Sequence, residues 1–600
     1  MYTYEKPVNL VEMLETSVVR HGRRPLFGIP DASGDYAWQT YGEIGNRIDD
    51  LRAGLARLGV GAGDAVGIIA NNRAEWAIAA FATFGLLGRF IPMYEKELPE
   101  VWEHIIRDAH IKVLFVANEN ILLRVQQFRK DANSLEHLLL IEGSTAPNMA
   151  NVEKDGQRHP ISASHPDPTD IAVLIYTSGT TGHPKGVLLS HGNLTSNFIA
   201  GGKMFPDLNH ESRSLSILPW AHAYGQTAEL YNFMNLGASI GFIRDISTIG
   251  EDMVKVAPTF LIAVPRVFNK IYDDLHTKMK QTGGLAHKLF TMGIDSAARL
   301  RELSAQGKTG AMQRMKYKLA DTVVFKKIRY RFGGRLTGAL TASAMMSPEV
   351  AQFFVDIGLP VFDAYGLTET SPAVTMNSRT VNKSGSVGRP IEHVRVVIDP
   401  KVSVDARDEG EVVVYGPNVM QGYHNNPEAT QAVMTADGGF RTGDIGRLDE
   451  DGFLYITGRI KEQYKLENGK YVYPASIEEA VQLSPWVENA LVYGEGRRHN
   501  ICLVVPNFLK LSAWAIGSGM GDPTPEELIV LPQVRTMIES SIAQNLASKF
   551  GNYEIPKKII LVAEPFSVDN GLLTQTLKLK RLKVLERYAK QIDEAYEQAG

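Results

Sequence analysis

Six hundred residues are more than one hydrophobic core organises, so at least two domains are expected. An apolar fraction of 44% and a charged fraction of 22% are those of a globular chain, and a net charge of −4 gives no electrostatic footing for nucleic acid. The single cysteine, Cys502, excludes an internal disulfide and a cysteine-rich metal site and suits a reducing compartment.

The first residues lack the basic-then-apolar pattern of a secretory leader, and the final QAG is not a peroxisomal address. Apolar residues at helical spacing predict a helix from Leu10. Ile44, Ile48, Leu51, Leu55 and Leu58 predict a second, closed by Gly59. Residues 64–70 read as a strand. The longest apolar run, 76–88 with only Thr83 interrupting, is too short to cross a bilayer and reads as a buried helix. A strand at 89–92, a helix at 101–109 and a strand at 112–116 follow. This alternation predicts an α/β sheet layered with helices.

The apolar runs 171–175 and 187–189 predict two strands joined by the sequence YTSGTTGHPKG at 176–186. Gly179 and Gly182 let backbone N–H groups converge into an anion nest. Thr177, Ser178, Thr180 and Thr181 add hydroxyls, and Lys185 adds a point charge suited to phosphate. Gly186 after Lys185, in place of Ser or Thr, excludes a Walker A loop. The plain alternative is a flexible turn.

The segment 270–335 is helical in pattern and rich in Lys and Arg. A solvated helix face is the reading preferred there, over a membrane-surface patch. Ser347, Pro348 and Glu349 open a helix that Gly358 closes. A short strand at 359–365 then leads into a loop, GLTET at 366–370, and strand ends in α/β sheets are where ligands sit. Short β runs between Gly-rich turns from 386 to 456 predict an antiparallel barrel or sandwich. The residues after it suffice for a small α+β domain.

Six motifs in this order resemble the adenylate-forming superfamily of acyl-CoA synthetases, amino-acid adenylation domains and beetle luciferases. They are the 176–186 loop, LPWAHAYG at 218–225, YGLTET at 365–370, RTGD at 441–444, GR at 458–459 and GLLTQTLKLKR at 571–581. The likeness spans nearly the whole chain. KLENGKYV at 465–472 and the last motif look most like the long-chain fatty acyl-CoA synthetase branch. The resemblance implies two steps: a carboxylate attacks the α-phosphorus of ATP to give acyl-adenylate and pyrophosphate, and the thiol of coenzyme A then displaces AMP.

A carboxylate needs no base to attack phosphorus, so such chemistry asks for charge neutralisation and positioning. The resemblance implies that Lys578 is a mobile catalytic cation, that Glu369 holds Mg²⁺, and that Thr368 contacts the α-phosphate. It places adenine and ribose against Gly338, Ala339, Asp363, Ala364, Tyr365 and Gly366, with Tyr365 stacked on the base. By the same resemblance Asp444 is expected to accept the ribose hydroxyls and Arg459 to reach the ribose; a turn-forming role is the alternative for Asp444. The resemblance also implies that His222 orients or gates the reacting carboxylate and that Ala221, Ala223, Tyr224, Gly225 and Thr341 belong to the acyl pocket. Thr341 stands where the family usually has proline, which leaves the pocket shape there open. Lys461 matches the family's hinge.

The expected division is an N-terminal α/β domain over 1–457 with a β-barrel-like subdomain, a hinge at 458–461, and a mobile α+β domain over 462–600. The expected reaction uses ATP, Mg²⁺, coenzyme A and a medium- to long-chain fatty acid. An acyl-carrier-protein ligase, a luciferase-like oxygenase and a non-catalytic nucleotide sensor are the rival readings. No transmembrane segment is expected. A cytoplasmic location, a peripheral association with the inner face of the membrane and a homodimer are all compatible with the chain.

Overall fold

The computed structural model describes residues 6–129, 134–143, 147–177, 184–344, 346–400, 409–547, 549–574 and 578–597. The chain forms two compact units. The larger comprises Met1–Val396, Val414–Arg441 and Glu450–Leu454; the smaller comprises Val397–Val413, Thr442–Asp449 and Tyr455–Gly600.

In the larger unit, a seven-stranded sheet runs in the order Gly422–Tyr423, Lys185–Ser190, Ile171–Thr177, Arg89–Met93, Ala65–Ile69, Ile111–Val116, His137–Leu140. The strands from Ile171–Thr177 onward are mutually parallel, and the first two pair antiparallel. Local sequence accounts for the helices that cover it. Helix Tyr41–Arg57 starts in a reciprocal cap between Thr40 and Glu43 and is followed by Gly59 at φ +80°. Helix Ala74–Phe84 is apolar on every side and buried throughout except at Glu75, as its composition requires. Trp76 meets Phe90 and Trp220 edge-on, at ring separations of 5.0 and 5.6 Å. These contacts tie the sheet to the 218–225 turn.

A second sheet has the order Phe260–Ala263, Gly338–Thr341, Val361–Gly366, Ala373–Met376, Arg389–Pro390; its first three strands are parallel. A third pairs Tyr36–Thr40, Pro25–Pro30, Ser239–Phe242 and Arg213–Ser216. The helices of 265–330 pack on the second sheet around Phe268, Phe290, Phe325, Phe353 and Phe354.

The smaller unit holds most of a four-stranded sheet, ordered Arg395–Asp399, Gly410–Tyr415, Phe440–Leu448, Leu454–Arg459. This is the β-rich segment expected from 386 to 456. Beyond it, a three-stranded sheet of Val487–Tyr493, Ile501–Pro506 and Lys558–Leu561 carries helices Pro474–Gln482 and Pro532–Leu546 over a core that contains Val504, Ile477 and Ile538. Among the described residues, no helix is long and apolar enough to cross a membrane.

Candidate active site

Strands Ile171–Thr177 and Lys185–Ser190 form an antiparallel pair with Thr177 opposite Lys185. Ser178, Gly179, Thr180, Thr181 and Gly182 lie outside the described residues. The hairpin explains why this is not a Walker A loop: no helix N-terminus stands at its end. Tyr176 donates to Asp108 Oδ2 at 2.5 Å. A Cβ on Gly186 would stand 3.0 Å from the Tyr176 ring, which favours glycine there.

The next strand of that sheet, Gly422–Tyr423, brings in a residue the sequence reading missed. Its register places Tyr423 beside Val187, and the Lys185 ammonium lies 5.3 Å from the centre of the Tyr423 ring. The Tyr423 hydroxyl donates to Glu369 Oε1 at 2.9 Å. Burial, reinforced by the Glu369 charge, pushes the phenol well above its ordinary range, so it stays a donor. Lys185, Tyr423 and Glu369 therefore stand as one cluster.

Glu369 sits in a single 3₁₀ turn, Thr368–Thr370, directly after strand Val361–Gly366. Thr368 and Thr370 are buried, and Glu369 is half-buried. Two amides hold the turn. Asn197 Nδ2 donates to the carbonyls of Thr370 and Ala373 at 3.2 and 2.8 Å, and Asn418 Nδ2 donates to the same two at 3.1 and 3.0 Å. The Met420 N–H donates to the Glu369 carbonyl at 2.9 Å. The backbone carrying the carboxylate is thus fixed from two sides. A Cβ on Gly366 would fall 1.8 Å from the Pro372 carbonyl oxygen, so only glycine fits at the strand end.

As a metal site, one carboxylate beside buried hydroxyls is a sparse donor set. Among the described residues no three His, Cys, Asp or Glu side chains form a metal-holding group. A single carboxylate is the donor a Mg²⁺ ion asks of a protein when it keeps waters and takes its remaining ligands from phosphate.

The 218–225 turn is built around glycine and two buried polar groups. A Cβ on Gly225 would lie 2.6 Å from the Pro219 carbonyl oxygen. His222 Nδ1 accepts from the Tyr224 N–H at 3.2 Å, which assigns the ring proton to Nε2. Ala221, Ala223 and Tyr224 are buried. The Trp220 N–H donates to Asn72 Oδ1 at 2.7 Å, and Trp220 Nε1 donates to Glu229 at 3.0 Å. Glu229 is fully buried and also receives Ser214 and Ser216, each at 2.5 Å. Burial holds its carboxyl above the usual range, against the pull of those three donors.

Tyr224 donates to the Leu340 carbonyl at 3.0 Å and so joins this turn to strand Gly338–Thr341. Ala339 pairs with Val361 and Thr341 with Asp363, so the expected adenine and acyl residues share neighbouring strands. Thr341 keeps regular strand pairing, with Ala263 on one side and Asp363 on the other. Its side chain is fully buried, and Oγ1 has no hydrogen-bond partner among the described residues. Ala364 and Tyr365 continue along strand Val361–Gly366, with Tyr365 half-buried opposite Thr375.

In the smaller unit, Asp444 is 2% exposed on strand Phe440–Leu448, and Arg459 at the end of strand Leu454–Arg459 meets it, Nε to Oδ1, at 2.8 Å. Gly443 turns the backbone at φ +73°, and its N–H donates to Glu411. Lys461 is exposed in the turn that follows. Lys578 is exposed; its N–H donates to Thr574 Oγ1 at 3.0 Å, and Leu573 bridges Leu579. Arg581, three residues on, opens helix Arg581–Arg587. It is largely buried and reaches Glu478 Oε1 at 2.5 Å and the Val492 carbonyl at 2.8 Å. A cation placed over a buried carboxylate serves the core of this unit.

The family of AMP-binding enzymes matches residues 14–424, and the AMP-binding enzyme C-terminal domain matches 461–600. The chain is 31% identical over 592 residues to long chain acyl-CoA synthetase 6, peroxisomal, of Arabidopsis thaliana, covering 94% of this chain and 82% of that protein. It is 32% identical over 571 residues to the long-chain-fatty-acid–CoA ligase FadD15 of Mycobacterium bovis, covering 93% and 92%. Among solved structures, the adenylation domain of a carboxylate reductase from Mycobacterium chelonae superposes with a TM-score of 0.80 at 22% identity, covering 99% of this chain and 92% of that one. That last likeness is one of fold.

Proposed function

The chain belongs to the AMP-binding enzyme family, and from that premise we infer that it is a fatty acid–CoA ligase acting on medium- to long-chain acids. The observation that carries this reading is its near-full-length likeness to proteins named long-chain acyl-CoA synthetases or ligases. Those names point to coenzyme A as the thiol, ahead of an acyl-carrier protein or an oxidation of the adenylate.

In the first step a carboxylate oxygen bonds to the α-phosphorus of ATP, the bond to the β-phosphate bridge breaks, and pyrophosphate leaves. Anion meets anion, so cations and fixed donors must supply the catalysis. Lys185, with the 178–182 loop, takes the leaving phosphates. Thr368 contacts the α-phosphate, and Lys578 bridges it to the attacking carboxylate. Glu369, held by Tyr423, would hold a Mg²⁺ ion, and that ion would supply neutralisation of phosphate charge. Tyr365 stacks on adenine beside Gly338, Ala339, Asp363, Ala364 and Gly366, and Asp444 with Arg459 takes the ribose. In the second step the thiol sulfur bonds to the acyl carbon, the acyl–phosphate bond breaks, AMP leaves, and the thiol proton goes to solvent. His222 orients the carboxyl, and the acyl chain runs past Ala221, Ala223, Gly225 and Thr341. Rotation of the 462–600 domain about Lys461 exchanges the groups around phosphorus between the steps. The free, buried Cys502 suits a cytoplasmic location.

The test is pyrophosphate release, with and without coenzyme A, over a series of straight-chain acids. Affinity should rise with each methylene, by about 0.8 kcal/mol where it is fully buried, until the pocket is filled. Preference for acetate or an aromatic acid would overturn the reading.

A further inference from the structure

The helical run 311–330 carries a surface that the reaction does not use. Helix Ala311–Ala320 continues through a wider turn, Asp321–Phe325, into helix Lys326–Tyr330. Its inner face is accounted for. Ala320, Val324, Phe325 and Ile328 are buried in the core, and the Tyr317 hydroxyl donates to the Asp356 carbonyl at 2.8 Å.

The outer face is not what the sequence pattern suggested. Met312, Met315, Leu319 and Val323 are 60, 70, 52 and 38% exposed. They recur at steps of three and four residues, so they form a second apolar stripe, directed to solvent. A face built for water would carry polar side chains at those positions. Exposed cations lie among them: Arg314, Lys316, Lys318, Lys326 and Lys327. Between 311 and 335 there are eight Lys or Arg residues and one acid, Asp321, which pairs with Arg329 at 2.6 Å. An open cleft against helix Gly284–Ala305 adds Lys288 and Arg299 beside Lys316, with Asp295 as an acid on its wall. Arg299 also meets Glu302 at 2.6 Å.

An apolar stripe alone would fit many partners, and a cationic face alone is ordinary solvated surface. The two interleaved on one exposed helix face match a surface where hydrocarbon lies under a layer of negative charge. We propose that the 311–330 face docks on a bilayer containing anionic phospholipids. Met312, Met315, Leu319 and Val323 enter the acyl boundary, and the lysines lie at the level of the phosphates. This deepens the fatty-acid reading above, on which it rests, by placing the protein where long-chain acids partition.

The test uses the full-length protein, without substrate, in flotation with vesicles of phosphatidylcholine alone or enriched in phosphatidylglycerol. Binding to the anionic vesicles is expected, and it should weaken as salt rises. Lys326→Gln with Lys327→Gln should weaken it about fivefold per lysine at low salt. Met315→Ser with Leu319→Ser should weaken it by about tenfold or more. Both double variants should keep wild-type turnover of a short, water-soluble acid, which shows that the fold and active site are intact. Equal binding to both vesicle types without salt dependence, or no binding to either, overturns the proposal. So does a dimer in light scattering that Leu319→Ser dissociates. Salt-sensitive anionic binding by a protein without ligase activity would leave the docking surface standing and remove the functional reading.

Discussion

The Tyr423–Glu369 contact is open to a double-mutant cycle. Tyr423→Phe removes one hydroxyl and keeps the ring under the Lys185 ammonium, so packing and the cation–ring contact persist. The lost bond is to a carboxylate, and bonds to charged groups contribute about 1.5–3 kcal/mol. If that energy serves to hold Glu369 in its reactive position, kcat/KM for pyrophosphate release should fall roughly 10- to 150-fold. Glu369→Gln keeps the shape and makes the acceptor neutral, where the same bond contributes about 0.5–1.5 kcal/mol. Tyr423→Phe should therefore cost less in the Gln background, with a coupling of about 1 kcal/mol or more. The assay is initial-rate pyrophosphate release over a Mg²⁺ series for the four proteins, with thermal melts to confirm folding. Equal losses in both backgrounds would refute the reasoning, because Tyr423 would then act independently of the carboxylate. Wild-type Mg²⁺ dependence in Glu369→Gln would remove Glu369 from the site altogether.

Lys578→Ala should lower adenylate formation by about 10²–10³ and still convert supplied acyl-adenylate and coenzyme A to thioester; if Lys580→Ala gives that phenotype instead, the alignment of the final motif is wrong. Lys461→Pro fixes φ in the proposed hinge and should block one half-reaction while sparing the other, measured by assaying each separately. Ala223→Trp fills the small-residue wall beside His222 and should shift preference toward shorter acids in the same chain-length series. His191, buried at the start of helix His191–Lys203, has its pKa lowered to about 3 by burial. The unfolded chain takes up that proton near pH 6.5 and the folded chain does not, so stability is full above that pH and falls as pH drops toward 3. The loss is roughly 2 kcal/mol at pH 5, and His191→Asn should flatten the fall in unfolding free energy, measured by denaturant titration, between pH 7 and pH 5 by about that amount.

What could be read from the chain alone follows the range of the interaction concerned. Helix Tyr41–Arg57 was legible because its apolar spacing and its closing glycine lie within about four turns of one another. The strands on either side of the 176–186 motif were legible because each is a local apolar run. Tyr423 was not, because a two-residue strand has no periodicity and its partner Glu369 is 54 residues away. Asn197 and Asn418, which brace the Glu369 turn, and Glu229, which receives Trp220, are ordinary polar residues until the fold brings their partners to them. Nothing local marks Arg581 either, because its partner, Glu478, lies 103 residues earlier.

The 311–330 run adds a further lesson about periodicity. Its helical spacing was visible, but apolar residues occupy two stripes, and only packing decides which meets the core. Ala320, Val324 and Ile328 do; Met312, Met315 and Leu319 do not. Both stripes follow from the same pattern of threes and fours, so no count of apolar residues separates a core face from a docking face. What separates them is the charge between the residues. The inward stripe is closed over by Phe290, Phe325 and Phe353, where an ammonium would be costly. The outward stripe has lysines at its margins, a spacing that suits neither a protein core nor bulk water but does suit the boundary between hydrocarbon and phosphate.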